Sequence, residues 1–103
     1  MEKSRWNSEF FKRFFLNFMK VKIELFGAAR DFNDQNLLEL DLGQKTTIKD
    51  IRNKIIQYVD QKFNGNENYI KIINSSAFCS EKNNIVSDNY KITNNEKISI
   101  IPP

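Results

Sequence analysis

The sequence predicts an α+β roll, a mixed sheet with one main helix laid across it. Three observations predict it. Two stretches of alternating apolar and polar residues, at positions 20–26 and 37–42, read as neighbouring strands. One apolar stripe at spacings of three and four, from Ile48 to Val59, reads as a helix. A last alternating stretch, Lys97-Ile98-Ser99-Ile100-Ile101, runs into Pro102 and Pro103, the only two prolines of the chain. A two-strand hairpin cannot cover its own apolar face. The helix must therefore cross that face, and the last strand must pair beside the first to complete the sheet.

At 103 residues, the chain predicts one domain with an appendage. A domain of this size buries roughly 60–65% of its unfolded surface, enough for one modest core. Hydrophobic residues make up 40% and charged residues 28%, which places it among globular rather than disordered chains. The net charge of +3 is spread thinly. Lys3, Arg5, Lys12 and Arg13 against Glu2 and Glu9 leave little excess for the rest of the chain. Nucleic acid needs a clustered basic face, so it is not an expected partner. With one cysteine, Cys79, and no histidine, an internal disulfide, a Cys/His metal site and a His-activated nucleophile are all excluded. No catalytic residue, metal ligand or cofactor site is expected, and Gly27, Gly43 and Gly65 lie too far apart to make a phosphate-cradling loop. A single unpaired cysteine fits a reducing, cytoplasmic setting.

Residues 1–18 are read as an N-terminal extension, and residues 19–103 as the domain. Trp6, Phe10, Phe14 and Phe18 fall at helical spacing, with Phe11 and Phe15 beside them. The extension thus reads as an amphipathic helix. Lys12 and Arg13 interrupt the apolar stretch that a secretory signal needs, and Glu2 and Glu9 count against an organellar targeting peptide. An appendage is preferred here to a membrane-binding segment.

Within the domain, Val21, Ile23 and Leu25 share one face of the first strand. Lys20, Lys22, Glu24 and Phe26 share the other, where Phe26 is the one aromatic among charges. Gly27 ends the strand, and residues 28–36 read as a polar connection. Leu38, Leu40 and Leu42 then line one face of the second strand. Thr47 reads as a helix N-cap with Asp50 three residues on, a capping box built on Asp rather than the usual Glu. Ile48, Ile51, Ile55, Tyr58 and Val59 form the core stripe of a helix to about Lys62, which Asn64-Gly65-Asn66 stops. The stretch from Tyr69 to Ile73 is apolar but ambiguous between strand and helical turn. Short strands are expected at Ala77-Phe78-Cys79 and Ile85-Val86. Asn94-Asn95 supplies a tight turn that tolerates positive φ. In the closing strand Ile98 and Ile100 face the core, while Ile101 points outward beside the prolines. Pro lacks the N–H a ladder needs, so Pro102 and Pro103 should leave the sheet as a short stiff arm.

Three stretches carry a family resemblance. They are Lys22-Ile23-Glu24-Leu25-Phe26-Gly27-Ala28-Ala29-Arg30-Asp31, Thr47-Ile48-Lys49-Asp50-Ile51-Arg52, and Ile92-Thr93-Asn94-Asn95-Glu96 running on through Pro103. In that order and spacing, residues 19–103 resemble the small, sulfur-carrying subunit of molybdopterin synthase, a ubiquitin-like β-grasp protein. The resemblance implies a β-grasp (ubiquitin-like) roll. It also implies a subunit without catalytic residues of its own that works in a heteromeric complex of molybdenum cofactor biosynthesis. Its implied partners are the synthase large subunit and an adenylating enzyme resembling those that activate ubiquitin. In the family a tail follows Pro-Pro and ends in Gly-Gly. The last glycine carboxylate is adenylated, becomes a thiocarboxylate, and donates sulfur to a pterin precursor inside the large subunit. The 103 residues stop at Pro103, so the tail is an expectation that lies past them, and Asn94-Asn95 stands where the family has a glycine-containing turn.

Partner contacts are expected from Phe26, Ile101, Pro102 and Pro103, an outward apolar patch where the tail would leave. Two other readings stand beside the carrier. One is a β-grasp interaction module that uses the same patch without sulfur transfer. The other is a carrier of the thiamine type, although those chains are usually more compact. Cys79, flanked by Ala77 and Phe78, reads as a buried and inert thiol.

Overall fold

The computed structural model describes residues 19–103, so the predicted extension over residues 1–18 lies outside the described residues. Five strands form one mixed sheet: β1 (Met19–Leu25), β2 (Leu37–Gly43), β3 (Ala77–Cys79), β4 (Ile85–Val86) and β5 (Glu96–Ile101). Their spatial order is β2-β1-β5-β3-β4. β1 pairs antiparallel with β2 and parallel with β5, with Ile23 opposite Leu38 on one side and Ile98 on the other. The closing strand therefore lies alongside the opening one, as expected. β5 pairs antiparallel with β3, and β3 with β4.

Among the described residues there are two α-helices: α1 (Ile48–Lys62), which crosses one face of the sheet, and α2 (Glu67–Ser75), which packs against α1. The Thr47 capping box forms despite its shorter acid. The Asp50 N–H donates to Thr47 Oγ1 at 3.3 Å, and Asp50 Oδ2 accepts from the Thr47 N–H at 3.1 Å and the Thr46 N–H at 3.2 Å. Ile48, Ile51, Ile55 and Val59 are buried against Val21, Ile23, Leu25, Ile98 and Ile100 of the central strands. Burial of this kind contributes about 1.5–3 kcal/mol per aliphatic side chain. Tyr58, placed in the core stripe, is only partly buried at its rim.

Two segments differ from the sequence expectation. The connection after β1 is a 3-10 helix, Gly27–Phe32, and it buries Ala29 and Phe32. These two residues sit three apart, one turn of such a helix, and so reach the core together. The ambiguous stretch around Tyr69 is helix α2, started by Asn66, whose Oδ1 accepts from the Tyr69 N–H at 3.1 Å. Tyr69 packs edge-on against both Phe32 and Phe63, with ring centroids 5.4 and 4.9 Å away. The predicted polar loop and the predicted ambiguous run thus close one end of the core against each other.

Candidate functional site

The site begins with the alternation of β1 and β5. Leu25 and Ile100 are register partners, and both point into the core. The next residue of each strand must face the opposite way. Phe26 keeps extended backbone, so the parallel register carries one step further and brings Phe26 level with Ile101 on the outer face. Both side chains are more than a third exposed there, unusual for large apolar groups. Ala77 lies opposite Ile101 on the other side of β5 and extends the same row. A second row crosses the sheet one step down: Leu37, Glu24, Ser99, Cys79 and Ile85. Ile85 ends it as an exposed apolar residue. Lower still, Lys97 Nζ lies 3.5 Å from Glu24 Oε2, so the face turns from apolar to charged.

The prolines leave from the apolar end. Pro102 is partly buried and Pro103 exposed. Gly27 has φ +54°, a conformation that L side chains rarely adopt. A Cβ placed on Gly27 would lie 3.6 Å from Pro102 Cγ and 3.8 Å from Pro102 Cδ. A methyl at Gly27 would just touch the ring of Pro102, so the ring lies beside the turn that follows β1. The expected stiff arm starts at a partly buried Pro102 next to that turn, and Pro103 is exposed. Phe26, Ile101, Pro102 and Pro103 thus gather at one end of two paired central strands, with Gly27 beside the start of the arm.

Cys79 corrects one expectation. Its side chain is partly exposed on the outer face rather than buried, because Phe78, not Cys79, takes the inward position of β3. Among the described residues no group of three or more Cys, Asp or Glu side chains is arranged to hold a metal ion. None of their helices is long and apolar enough to cross a membrane.

Beneath the site, a buried carboxylate fixes the start of β5. Glu96 is 6% exposed. It accepts from the Thr93 N–H at 2.9 Å, the Tyr90 hydroxyl at 2.9 Å, the Thr93 hydroxyl at 3.2 Å and the Glu81 N–H at 3.3 Å. Burial pushes its carboxyl up, but these hydrogen bonds outweigh burial and hold it below the usual glutamate range. The turn before it has Asn95 at φ +63°, and the Asn95 N–H donates to Lys20 O at 2.8 Å. The sequence treats Glu96 only as the approach to a strand, and no spacing rule joins it to Glu81 or Tyr90.

Mixed five-strand sheet, covering helix and strand order define the class: a ubiquitin-like β-grasp domain. The sequence matches no family model and no curated protein. Solved structures do match in fold. One is a protein of Pyrococcus furiosus assigned as molybdopterin converting factor, subunit 1. Its TM-score is 0.62 at 17% identity, over 82% of this chain and 98% of that one. Another is SAMP1 from Haloferax volcanii, with TM-score 0.58 at 9% identity, over 82% of this chain and 94% of that one.

Proposed function

We propose that this chain is a ubiquitin-like sulfur carrier of the molybdopterin synthase small-subunit type. The observation that carries the reading is the placement of Pro102 beside the Gly27 turn, at the same end of the sheet as the exposed residues Phe26 and Ile101. A carrier needs a rigid body, an apolar face for its partners, and a tail that leaves at a fixed place and angle. The sheet provides the first, the Phe26–Ile101 pair the second, and the placement of Pro102 the third. The three motifs of the sequence and the fold match to molybdopterin converting factor, subunit 1, support the same reading.

In this reading the domain performs no bond chemistry. Phe26, Ile101, Pro102 and Pro103 form the contact for a synthase large subunit and for an adenylating enzyme. The sulfur rides on the carboxylate of a terminal glycine beyond Pro103. A tail without side chains suits a narrow channel, since glycine reaches backbone angles closed to other residues. The setting is the cytoplasm and the assembly a heteromeric complex.

The test is to express the native gene together with its adenylating enzyme and a synthase large subunit, and to weigh the carrier intact. The expected result is a terminal glycine whose mass rises by one oxygen-to-sulfur exchange, and recovery of both partners. Ile101→Glu and Phe26→Ala should lose the partners while the chain stays folded, because both side chains lie on the outer face, more than a third exposed and outside the core. A native chain that binds a partner through this patch but never gains sulfur would overturn the carrier reading in favour of a plain interaction module.

A further inference from the structure

The link between α1 and α2 holds the one place in the chain where glycine follows asparagine, Asn64-Gly65. Phe63 caps α1, and its N–H donates to Val59 O at 2.9 Å. Asn64 comes next, in the left-handed region at φ +54°. The Gly65 N–H then turns back and donates to Asp60 O at 3.0 Å. A bond of this span closes a Schellman helix end, here with asparagine where glycine is the common choice. Asn64 is exposed, so water reaches its side-chain amide. Just beyond, Asn66 Oδ1 accepts from the Tyr69 N–H at 3.1 Å and starts α2.

Asparagine is a chemically labile residue, and most so before glycine, which leaves the following nitrogen unhindered. Gly65 N attacks Asn64 Cγ. A C–N bond forms, Nδ2 departs as ammonia with the proton that Gly65 N gives up, and a cyclic imide remains. One water then opens the imide. Opening at Cγ leaves aspartate. Opening at the backbone carbonyl leaves isoaspartate, with the chain now running through Cγ. In this molecule the attacking nitrogen is the one that closes α1. While its N–H is donated to Asp60 O, it is not free to bond to Asn64 Cγ.

We propose that Asn64 is a site of spontaneous deamidation whose rate is set by opening of the C-terminal end of α1. With the end closed, Asp60 O holds the Gly65 N–H and the imide does not form. With the end open, the link reacts as a free peptide does. A helix end opens at lower cost than the whole domain, so the reaction proceeds from the native protein. Either product puts a carboxylate at the C-terminal end of α1, where the helix dipole disfavours negative charge. Isoaspartate also lengthens the backbone between Phe63 and Asn66. That displaces the cap of α2 and the Phe63 ring, which packs edge-on against Tyr69 with centroids 4.9 Å apart. The inference is independent of the sulfur-carrier reading, since it uses none of the residues around Pro102.

The experiment incubates the full chain and a blocked peptide of residues 61–68 in neutral buffer. The readouts are intact mass, peptide mapping with enzymatic labelling of isoaspartate, and amide exchange. The full chain is expected to show the amide-to-acid mass step at Asn64 before any other asparagine, at least about tenfold more slowly than the peptide. Asn66→Ala removes the cap of α2, and its rate is expected to fall between those of the chain and the peptide. Once isoaspartate has formed, amide protection at the start of α2 is expected to drop. Asn64→Gly keeps the left-handed turn and is expected to retain that protection over the same period. A chain that reacts as fast as the peptide, a chain that never reacts, or a first modification at another asparagine would each overturn the proposal. So would an Asn66→Ala chain no faster than its parent, or full protection after isoaspartate has formed.

Discussion

The phenol of Tyr90 donates a hydrogen bond to Glu96 Oε2 across 2.9 Å, and that bond ties the loop before β5 to the first residue of the strand. Glu96 also receives the backbone N–H groups of Glu81 and Thr93, so one carboxylate anchors three segments. Its loss leaves several donors near a buried site without acceptors. Glu96→Ala is therefore expected to destabilise the fold by about 2–4 kcal/mol, since each orphaned buried donor costs about 1–3 kcal/mol. Tyr90→Phe removes one donor and leaves the carboxylate its others, so about 1 kcal/mol is expected. Urea midpoints of the two variants check this. Equal effects would mean that Tyr90, not Glu96, organises the loop.

The same carboxylate gives the stability a defined acid limb. Glu96 and Asp50 both sit below their ordinary values of 4.5 and 3.8 in the folded chain, because hydrogen bonds to the charged form outweigh burial at each. A depressed carboxylate binds fewer protons folded than unfolded, so it stabilises the fold above the unfolded value. That contribution is lost as pH falls from about those values through the lower folded ones. Tyr90 acts in the opposite sense. Its hydrogen bond to Glu96 raises it above the ordinary 10.0, helped by burial and by the charges of Glu96 and Glu81. Its contribution holds below pH 10 and fades as pH rises through the folded value. Unfolding free energy measured against pH should fall at both ends. Glu96→Gln should flatten the acid limb, and Tyr90→Phe the alkaline one.

The parts of this fold legible in the sequence are those where one face is buried over several turns or pleats. The alternation in β1 and β5 and the stripe from Ile48 to Val59 reveal their own partners. The 3-10 helix is hidden because only Ala29 and Phe32 point inward, too few to show a period. Helix α2 is hidden because Tyr69, Ile70, Ile72 and Ile73 run together, and Asn66 reads as easily as the end of α1 as the start of a new helix. The outward placement of Phe26 and Ile101 follows from alternation alone. Their meeting follows only from the parallel pairing of β1 with β5, which depends on the whole topology. The placement of Pro102 beside Gly27 and the clamp at Glu96 join residues from separate loops, and no local spacing announces either.

Arg52 yields a third prediction. Its guanidinium donates to the carbonyls of Ile73, Asn74 and Ser76 at 2.7, 3.3 and 3.0 Å, which closes the C-terminal end of α2. It also pairs with Asp88 at 2.9 Å and stacks over Phe78 at 4.9 Å. A lysine has neither the planar fork nor the stacking face. Arg52→Lys is expected to cost about 1–3 kcal/mol and to raise amide exchange at the end of α2 and in β3. Asp88→Asn should cost no more than about 1 kcal/mol, because the Asp88 side chain is 49% exposed and the pair is screened. If the two variants were equally damaging, the ion pair rather than the helix-end carbonyls would be the main contribution of Arg52.

The last prediction separates backbone strain from crowding at the start of the proline arm. At Gly27 a new Cβ would stand 3.6 Å from Pro102 Cγ, ordinary contact that displaces nothing. The backbone, at φ +54°, is the obstacle. Gly27→Ala is therefore expected to cost about 1–2 kcal/mol through the left-handed conformation alone. The arm should stay in place, and chemical shifts of Pro102 and Pro103 should hold. Gly27→Asn, a residue that tolerates this region, should recover much of the loss. Failure of Gly27→Asn to recover stability, with shifts spreading into Pro102, would show that the packing of the proline ring rather than the turn requires glycine. The arm would then be held more tightly than the structure indicates.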